Sequence, residues 1–139
     1  VSAGFADEML STCKVLVGLA AVLGHMFTFW LGFKGGKGIA TSAGVLLGIA
    51  PLAMLGGLAA FLLLLFSTRY VSLGSLAAAL GVPATMAVQM ARAGRWDWVM
   101  LGFGVVLMIL AFIRHRSNIQ RLIAGTESKA FVKKDKPQS

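Results

Sequence analysis

The sequence predicts an all-α integral membrane protein: a polytopic bundle of about five helices, some of them short or broken. Three observations carry that prediction. Hydrophobic residues make up 58% of the 139 positions, and the mean hydropathy is +0.83. Charged residues are only 13%, about half the usual soluble share. The apolar residues also fall into runs of roughly membrane-span length, separated by short polar stretches. A soluble chain of this size cannot hide so much apolar surface, so lipid is the expected solvent.

The elements follow in order. Val1 to Thr12 is a short, mildly acidic lead containing Asp7 and Glu8. Lys14 to Leu31 is long enough for a first span, and no signal-peptide cleavage pattern is evident in it. A glycine- and lysine-rich loop, "GFKGGKG", follows. Ile39 to Phe66 is longer than one span needs and short for two; Pro51 and the pair Gly56–Gly57 interrupt it. Val71 to Met90 and Trp98 to Ile113 are further spans, with Trp96 and Trp98 placed as interfacial anchors. Small residues four apart, Gly44/Gly48, Gly56/Ala60 and Gly74/Ala78, would let helices approach closely. Residues 1–126 are expected to form the membrane domain and 127–139 a basic cytoplasmic tail.

The net charge of +8 is concentrated late in the chain. Such a bias marks a cytoplasmic segment attracted to anionic lipid, and it lacks the interleaved aromatics of a nucleic-acid surface. Lys34 and Lys37 place the glycine loop on the same side, so an even number of crossings lies between loop and tail. Four crossings use the apolar sequence best, with Ile39–Phe66 forming two short helices. Arg92 and Arg95 then lie outside, against the usual bias. Cys13 is the sole cysteine, so no internal disulfide forms.

On this topology three polar stretches meet at one membrane face: "GFKGGKG", "TRYVSLGS" and "RHRSNIQRL". The first is not a P-loop. Gly32 and Gly36 are one residue too close, and Gly38 stands where a magnesium-binding Ser or Thr belongs. Its physics still suits an anion: permissive backbone at Gly35, Gly36 and Gly38, charge from Lys34 and Lys37, and a helix beginning at Ile39. The alternative is a tight turn carrying topogenic charge. His25 lies about 9 Å deep at ~1.5 Å per residue. It is either a functional group or a neutral ring bonded to a backbone carbonyl. His115 and Asn118, at i and i+3, share a helix face beside Arg114 and Arg121. They are either a site or a solvated basic helix end. Arg69, Tyr70, Ser72 and Ser75 read equally as site residues or as a polar turn with capping hydroxyls.

Other chemistries are excluded. His-x4-Asp is absent, because Trp30 and Gln120 stand five residues after the two histidines. Asp7, Asp97 and Asp135 lie away from the inner face, Cys13 falls at the far end, and metal ligands are too few.

Together, "GHMFTFWLGFKGGKGIAT", "RYVSLGS" and "HRSNIQRLIAGTE" resemble three motifs of the bacterial acyl-phosphate:glycerol-3-phosphate acyltransferases of the PlsY type. The likeness runs from about Lys14 to Glu127. It implies a multi-pass enzyme of the bacterial inner membrane with its active site on the cytoplasmic face. Such an enzyme moves an acyl group from acyl phosphate to sn-glycerol 3-phosphate, giving lysophosphatidic acid and phosphate in phospholipid synthesis. It implies no cofactor and no metal, and partners limited to the two substrates and membrane lipid, with no nucleic acid. By that likeness Lys34, Gly35, Gly36, Lys37 and Gly38, with Arg69, bind phosphate. Ser72, His115 and Asn118 orient the reactants, and His25 supports them or exchanges a proton.

The chain departs from the family pattern in two ways. Thr28 replaces a usual proline. A first motif, a Ser/Gly/Asn-rich loop ending in Arg between two N-terminal spans, has no counterpart here. The 139 residues therefore resemble the C-terminal part of a seven-helix protein and are expected to be inactive alone. Two rivals are a transporter or channel for a phosphorylated metabolite, which lacks the expected inverted repeat, and a membrane scaffold, which does not explain three converging polar motifs.

Overall fold

The computed structural model describes residues 3–27 and 36–131. Thr28, Lys34 and Gly35 lie outside these residues. Six α-helices make up the described part: α1 (Ala3–Met26), α2 (Ile39–Ile49), α3 (Pro51–Thr68), α4 (Val71–Ala93), α5 (Trp98–Arg114) and α6 (Arg116–Ile123). Helices α1, α3 and α4 are long and apolar enough to cross a membrane, and α5 with α6 forms a fourth candidate bent by 60°.

The all-α expectation holds, with three corrections. The acidic lead is not a separate segment, because α1 already begins at Ala3. The apolar stretch breaks at Ala50 and Pro51 as expected, but its halves are unequal, 11 and 18 residues. At ~1.5 Å per residue α2 rises about 16 Å, roughly half a bilayer core, whereas α3 rises about 27 Å. Pro51 sits at the first turn of α3, where its missing N–H costs nothing. Finally, the basic segment after α5 is itself a helix, α6, so six helices replace the five expected.

The core lies where α1, α2, α3, α4 and α5 meet, around Val22, Met26, Leu46, Ala53, Val82, Met86, Phe103 and Leu107. Close approach of α3 and α4 depends on missing side chains. A Cβ on Gly57 would stand 2.8 Å from Val82 Cγ2 and 3.2 Å from the Ala78 carbonyl oxygen. One on Gly74 would stand 3.0 Å from Phe61. A Cβ on Gly56 would collide with Thr85. These are the small-residue contacts that hold helices together in lipid, where burial from water supplies no drive. Gly44 and Gly48 have no such neighbour, so that expected pair makes no close contact among the described residues. Far from the loop end, Ser11 Oγ donates to Asp97 Oδ2 at 2.6 Å while Asp97 Oδ1 caps α5 through the Met100 N–H at 2.8 Å. One carboxylate thus fixes the start of α5 against α1.

Gly57→Val therefore forces α3 from α4, an overpacking cost of about 1–3 kcal/mol. A lower Tm of several degrees in detergent is expected, while Gly48→Ala leaves Tm unchanged or raised. Equal Tm values for Gly57→Val and the parent would contradict the packing.

Candidate functional site

A cavity of about 640 Å³ opens where α1, α2, α4 and α6 present polar groups. His25, Lys37, Gly38, Ser72, His115 and Asn118 all line it. Five of these come from the three stretches that the sequence brings to one face, and His25 comes from the helix before the loop.

Each wall has a local cause. Gly38 has φ +76°, a conformation that L side chains rarely adopt, and a Cβ there would stand 2.8 Å from Met26 Cγ. Glycine thus starts α2 while tucked against α1, and Lys37 immediately before it faces the cavity. The Ser42 N–H donates to the Gly38 carbonyl at 2.8 Å, which begins the ladder. Gly36 lies beside His25: a Cβ on it would stand 2.8 Å from Nε2. Arg114 Nη2 donates to the Gly36 carbonyl at 3.0 Å and clips the loop to the end of α5.

At the bend between α5 and α6, His115 is 2% exposed. Its Nδ1 lies 2.8 Å from the Ala111 carbonyl. A carbonyl oxygen only accepts, so Nδ1 carries the hydrogen, and Nε2 of the neutral ring is left as an acceptor. The bend also turns Asn118 inward, 6% exposed. Lys37 Nζ donates to Asn118 Oδ1 at 2.6 Å, and Asn118 Nδ2 donates to Glu127 Oε1 at 2.7 Å. Arg121 Nε donates to Glu127 Oε2 at 2.6 Å. Because the amide receives from a cation and gives to a carboxylate, its two ends are assigned without ambiguity. Ser72 starts α4 and is 5% exposed. Its Oγ interacts with Glu127 outside good hydrogen-bond geometry and is otherwise unpartnered.

Glu127 has no role in the sequence reading, yet its side chain is only 6% exposed and joins the wall. Desolvation raises its pKa, but hydrogen bonds from Asn118 and Arg121, the nearby Ser72 hydroxyl and the Arg121 charge outweigh it, holding the carboxyl at about 2. The available signal was Gly125. With φ +68° it ends α6 in the left-handed region and turns the chain back. Residues 127–130 then run along the cavity mouth, and the Ala130 N–H donates to the Arg69 carbonyl at 2.7 Å.

Of the described site candidates, Gly36 and Arg69 do not line the cavity, and unlike Gly36, which lies beside His25, Arg69 lies apart from it. Arg69 caps α3 at φ +64° and lines a separate groove with Leu65, Phe66 and Phe131. A second, mostly apolar cavity of about 70 Å³ adjoins the polar one. Lys37, Ile39 and Ser75 line both, and Leu46, Met54, Val82 and Leu107 line the deeper part. Among the described residues no cluster of three His, Cys, Asp or Glu side chains is placed to hold a metal ion.

The glycerol-3-phosphate acyltransferase family profile matches residues 2–125. A glycerol-3-phosphate acyltransferase of Geobacter sulfurreducens is 45% identical over 91% of this chain and 60% of its own length. One of Trichlorobacter lovleyi is 50% identical over 91% of this chain and 60% of its own length. The chain thus spans about 60% of the length of these curated relatives. Among solved structures, the crystal structure of PlsY, an integral membrane glycerol 3-phosphate acyltransferase, in its glycerol 3-phosphate form superposes with a TM-score of 0.73 at 37% identity. It covers 83% of this chain and 55% of that one. The lysophosphatidic acid form gives the same score and identity, covering 83% and 56%.

Because Glu127 has a depressed pKa, its stabilisation is complete above the unfolded value near 4.5 and is lost as pH falls towards about 2. The expected result is a Tm that drops between about pH 5 and pH 2, with a shallower drop for Glu127→Gln. Identical slopes for the two proteins would remove Glu127 from the linkage.

Proposed function

The chain belongs to the glycerol-3-phosphate acyltransferase family, and from that premise we propose that it carries the phosphate-binding and reactant-orienting part of an acyl-phosphate-dependent enzyme. The enzyme transfers an acyl group to sn-glycerol 3-phosphate, giving lysophosphatidic acid and inorganic phosphate. The observation that carries the reading is the Lys37–Asn118 contact, which joins the glycine loop to the helix bearing His115 beside a polar cavity.

An acyl phosphate is a mixed anhydride with a good leaving group, so no covalent enzyme nucleophile is required. The work left to the protein is alignment and charge neutralisation. Lys37, with Lys34 and the Gly35, Gly36 and Gly38 backbone, takes the phosphate of glycerol 3-phosphate at the start of α2, where the helix dipole favours an anion. His115 Nε2 accepts a hydrogen bond from the attacking hydroxyl, and Ser72 Oγ supplies the unpartnered polar group facing it. Asn118 holds Lys37 in place, and His25 closes the far wall. The hydroxyl oxygen forms a bond to the carbonyl carbon. The bond from that carbon to the phosphate oxygen breaks, phosphate departs with the electron pair, and one of its oxygens takes the hydroxyl proton. The adjoining apolar cavity takes the first carbons of the acyl chain, and the rest continues between helices into lipid. Arg69, outside the cavity, acts at longer range on approaching anions.

The site faces the cytoplasm across a bacterial inner membrane, in keeping with the basic residues around the loop and after α5. One experiment tests reaction and orientation together. The full-length enzyme carrying this chain is placed in sealed vesicles with acyl phosphate in the bilayer. Inverted vesicles should release phosphate only when glycerol 3-phosphate is added outside. Right-side-out vesicles should stay silent until permeabilised. Release without glycerol 3-phosphate would contradict the transfer reaction, and release from intact right-side-out vesicles would contradict the orientation.

A further inference from the structure

We propose that Lys129 is a substrate-binding residue of this site, giving a second ammonium, beside that of Lys37, to the phosphate of one of the two reactants. The proposal rests on the functional reading above and extends it to the strap that follows α6.

The strap is fixed at both ends. Glu127 is held by Asn118 at 2.7 Å and Arg121 at 2.6 Å, and the Ala130 N–H is held by the Arg69 carbonyl at 2.7 Å. Lys129 lies between these anchors, so its Cα is placed by the same amide that places Lys37. Its side chain lines the polar cavity together with Lys37. Its ammonium lies 5.5 Å from the centre of the Tyr70 ring, two residues before Ser72. A ring face attracts the cation without using a directed N–H bond, so hydrogen-bond donors remain for a ligand.

Charge favours a second cation at this place. Among the described residues, the cations lining the cavity are Lys37 and Lys129, and Glu127 is the anion. The Glu127 charge is met by Arg121, so Lys37 and Lys129 are the two described cations of the lining whose charge no carboxylate of the lining takes up. Nearby arginines are engaged elsewhere: Arg121 on Glu127, and Arg114 on the Gly36 carbonyl. A reaction between two phosphate-bearing molecules brings several negative charges into one site, where unmatched like charge is costly. The phosphate of glycerol 3-phosphate and that of acyl phosphate offer Lys129 the same chemistry.

The test is equilibrium binding to the full-length enzyme in nanodiscs. Labelled glycerol 3-phosphate, labelled acyl phosphate without acceptor, and inorganic phosphate are measured separately. Lys129→Met should weaken one of the two substrates about 10-fold and inorganic phosphate similarly, while Lys129→Arg stays within about 3-fold. The substrate that weakens identifies the phosphate bound. If Lys129→Met fails to fold, Lys129→Gln takes its place under the same criterion. Unchanged affinity for all three probes, or equal losses for the Arg and Met variants, would overturn the proposal. So would an absence of phosphate binding by the parent protein. Acyl transfer by the parent with unchanged binding by the variant leaves the functional reading standing and removes Lys129. Lys129-dependent phosphate binding without acyl transfer does the reverse.

Discussion

Asn118 stands between a cation that precedes α2 and a carboxylate that follows α6. Its carbonyl receives Lys37 and its amide gives to Glu127. An amide is suited to this place because, uncharged, it offers a strong acceptor and a strong donor at separate atoms. A leucine there would take from Glu127 one of its two hydrogen-bond donors, and a carboxylate would repel it. At 6% exposure these bonds are poorly screened, so the relay from Lys37 through Asn118 and Glu127 to Arg121 fixes three segments at once. The loop before α2, the bend into α6 and the strap beyond it have their positions through this chain of contacts.

The helices supply the other constraint. In lipid every backbone polar group must be satisfied within the segment, so irregular backbone belongs at the ends or against protein. The described chain obeys this. Residues 36–38 before α2, the α3–α4 turn, the α5–α6 bend and the strap all gather at one end. Glycines along α3 and α4 draw those helices together and bring Ser72 towards the cavity. The opposite end is tied by Ser11 and Asp97. Packing that contains no catalytic group thus decides where the polar groups stand.

Much of this was legible in the sequence, because local chemistry forces it. A glycine before an apolar run placed the start of α2 at Ile39, and a proline placed the break at Ala50–Pro51. The loop, Ser72 and the His115–Asn118 pair were expected to meet and do line one cavity, but the four crossings counted after the loop are not matched: α3, α4 and the bent α5–α6 pair are long and apolar enough to cross, and α2 is not. What escaped depends on contacts through space. The acidic lead continues α1 because its charges sit at a helix end beyond the apolar core, which composition alone reads as loop. The segment after α5 bends by 60° at His115, whose side chain joins the Ala111 carbonyl, and nothing in residue type announces that bend. Glu127 looks like the first residue of a solvated tail until Gly125 turns it under Asn118. Arg69 looked like a site cation for its neighbours, yet its left-handed backbone as the α3 cap carries its side chain to another groove.

The relay is the central claim, and a double-mutant cycle reads it directly. Glycerol 3-phosphate affinity is measured for the full-length enzyme, for Lys37→Met, for Glu127→Gln and for the pair. The two side chains do not touch each other by any hydrogen bond; they are joined through Asn118. Transmission through that amide predicts non-additive losses, with an interaction energy of about 0.5–3 kcal/mol. Losses that add within about 0.3 kcal/mol would mean that Lys37 and Glu127 act independently, and that the three segments are held together by something other than Asn118.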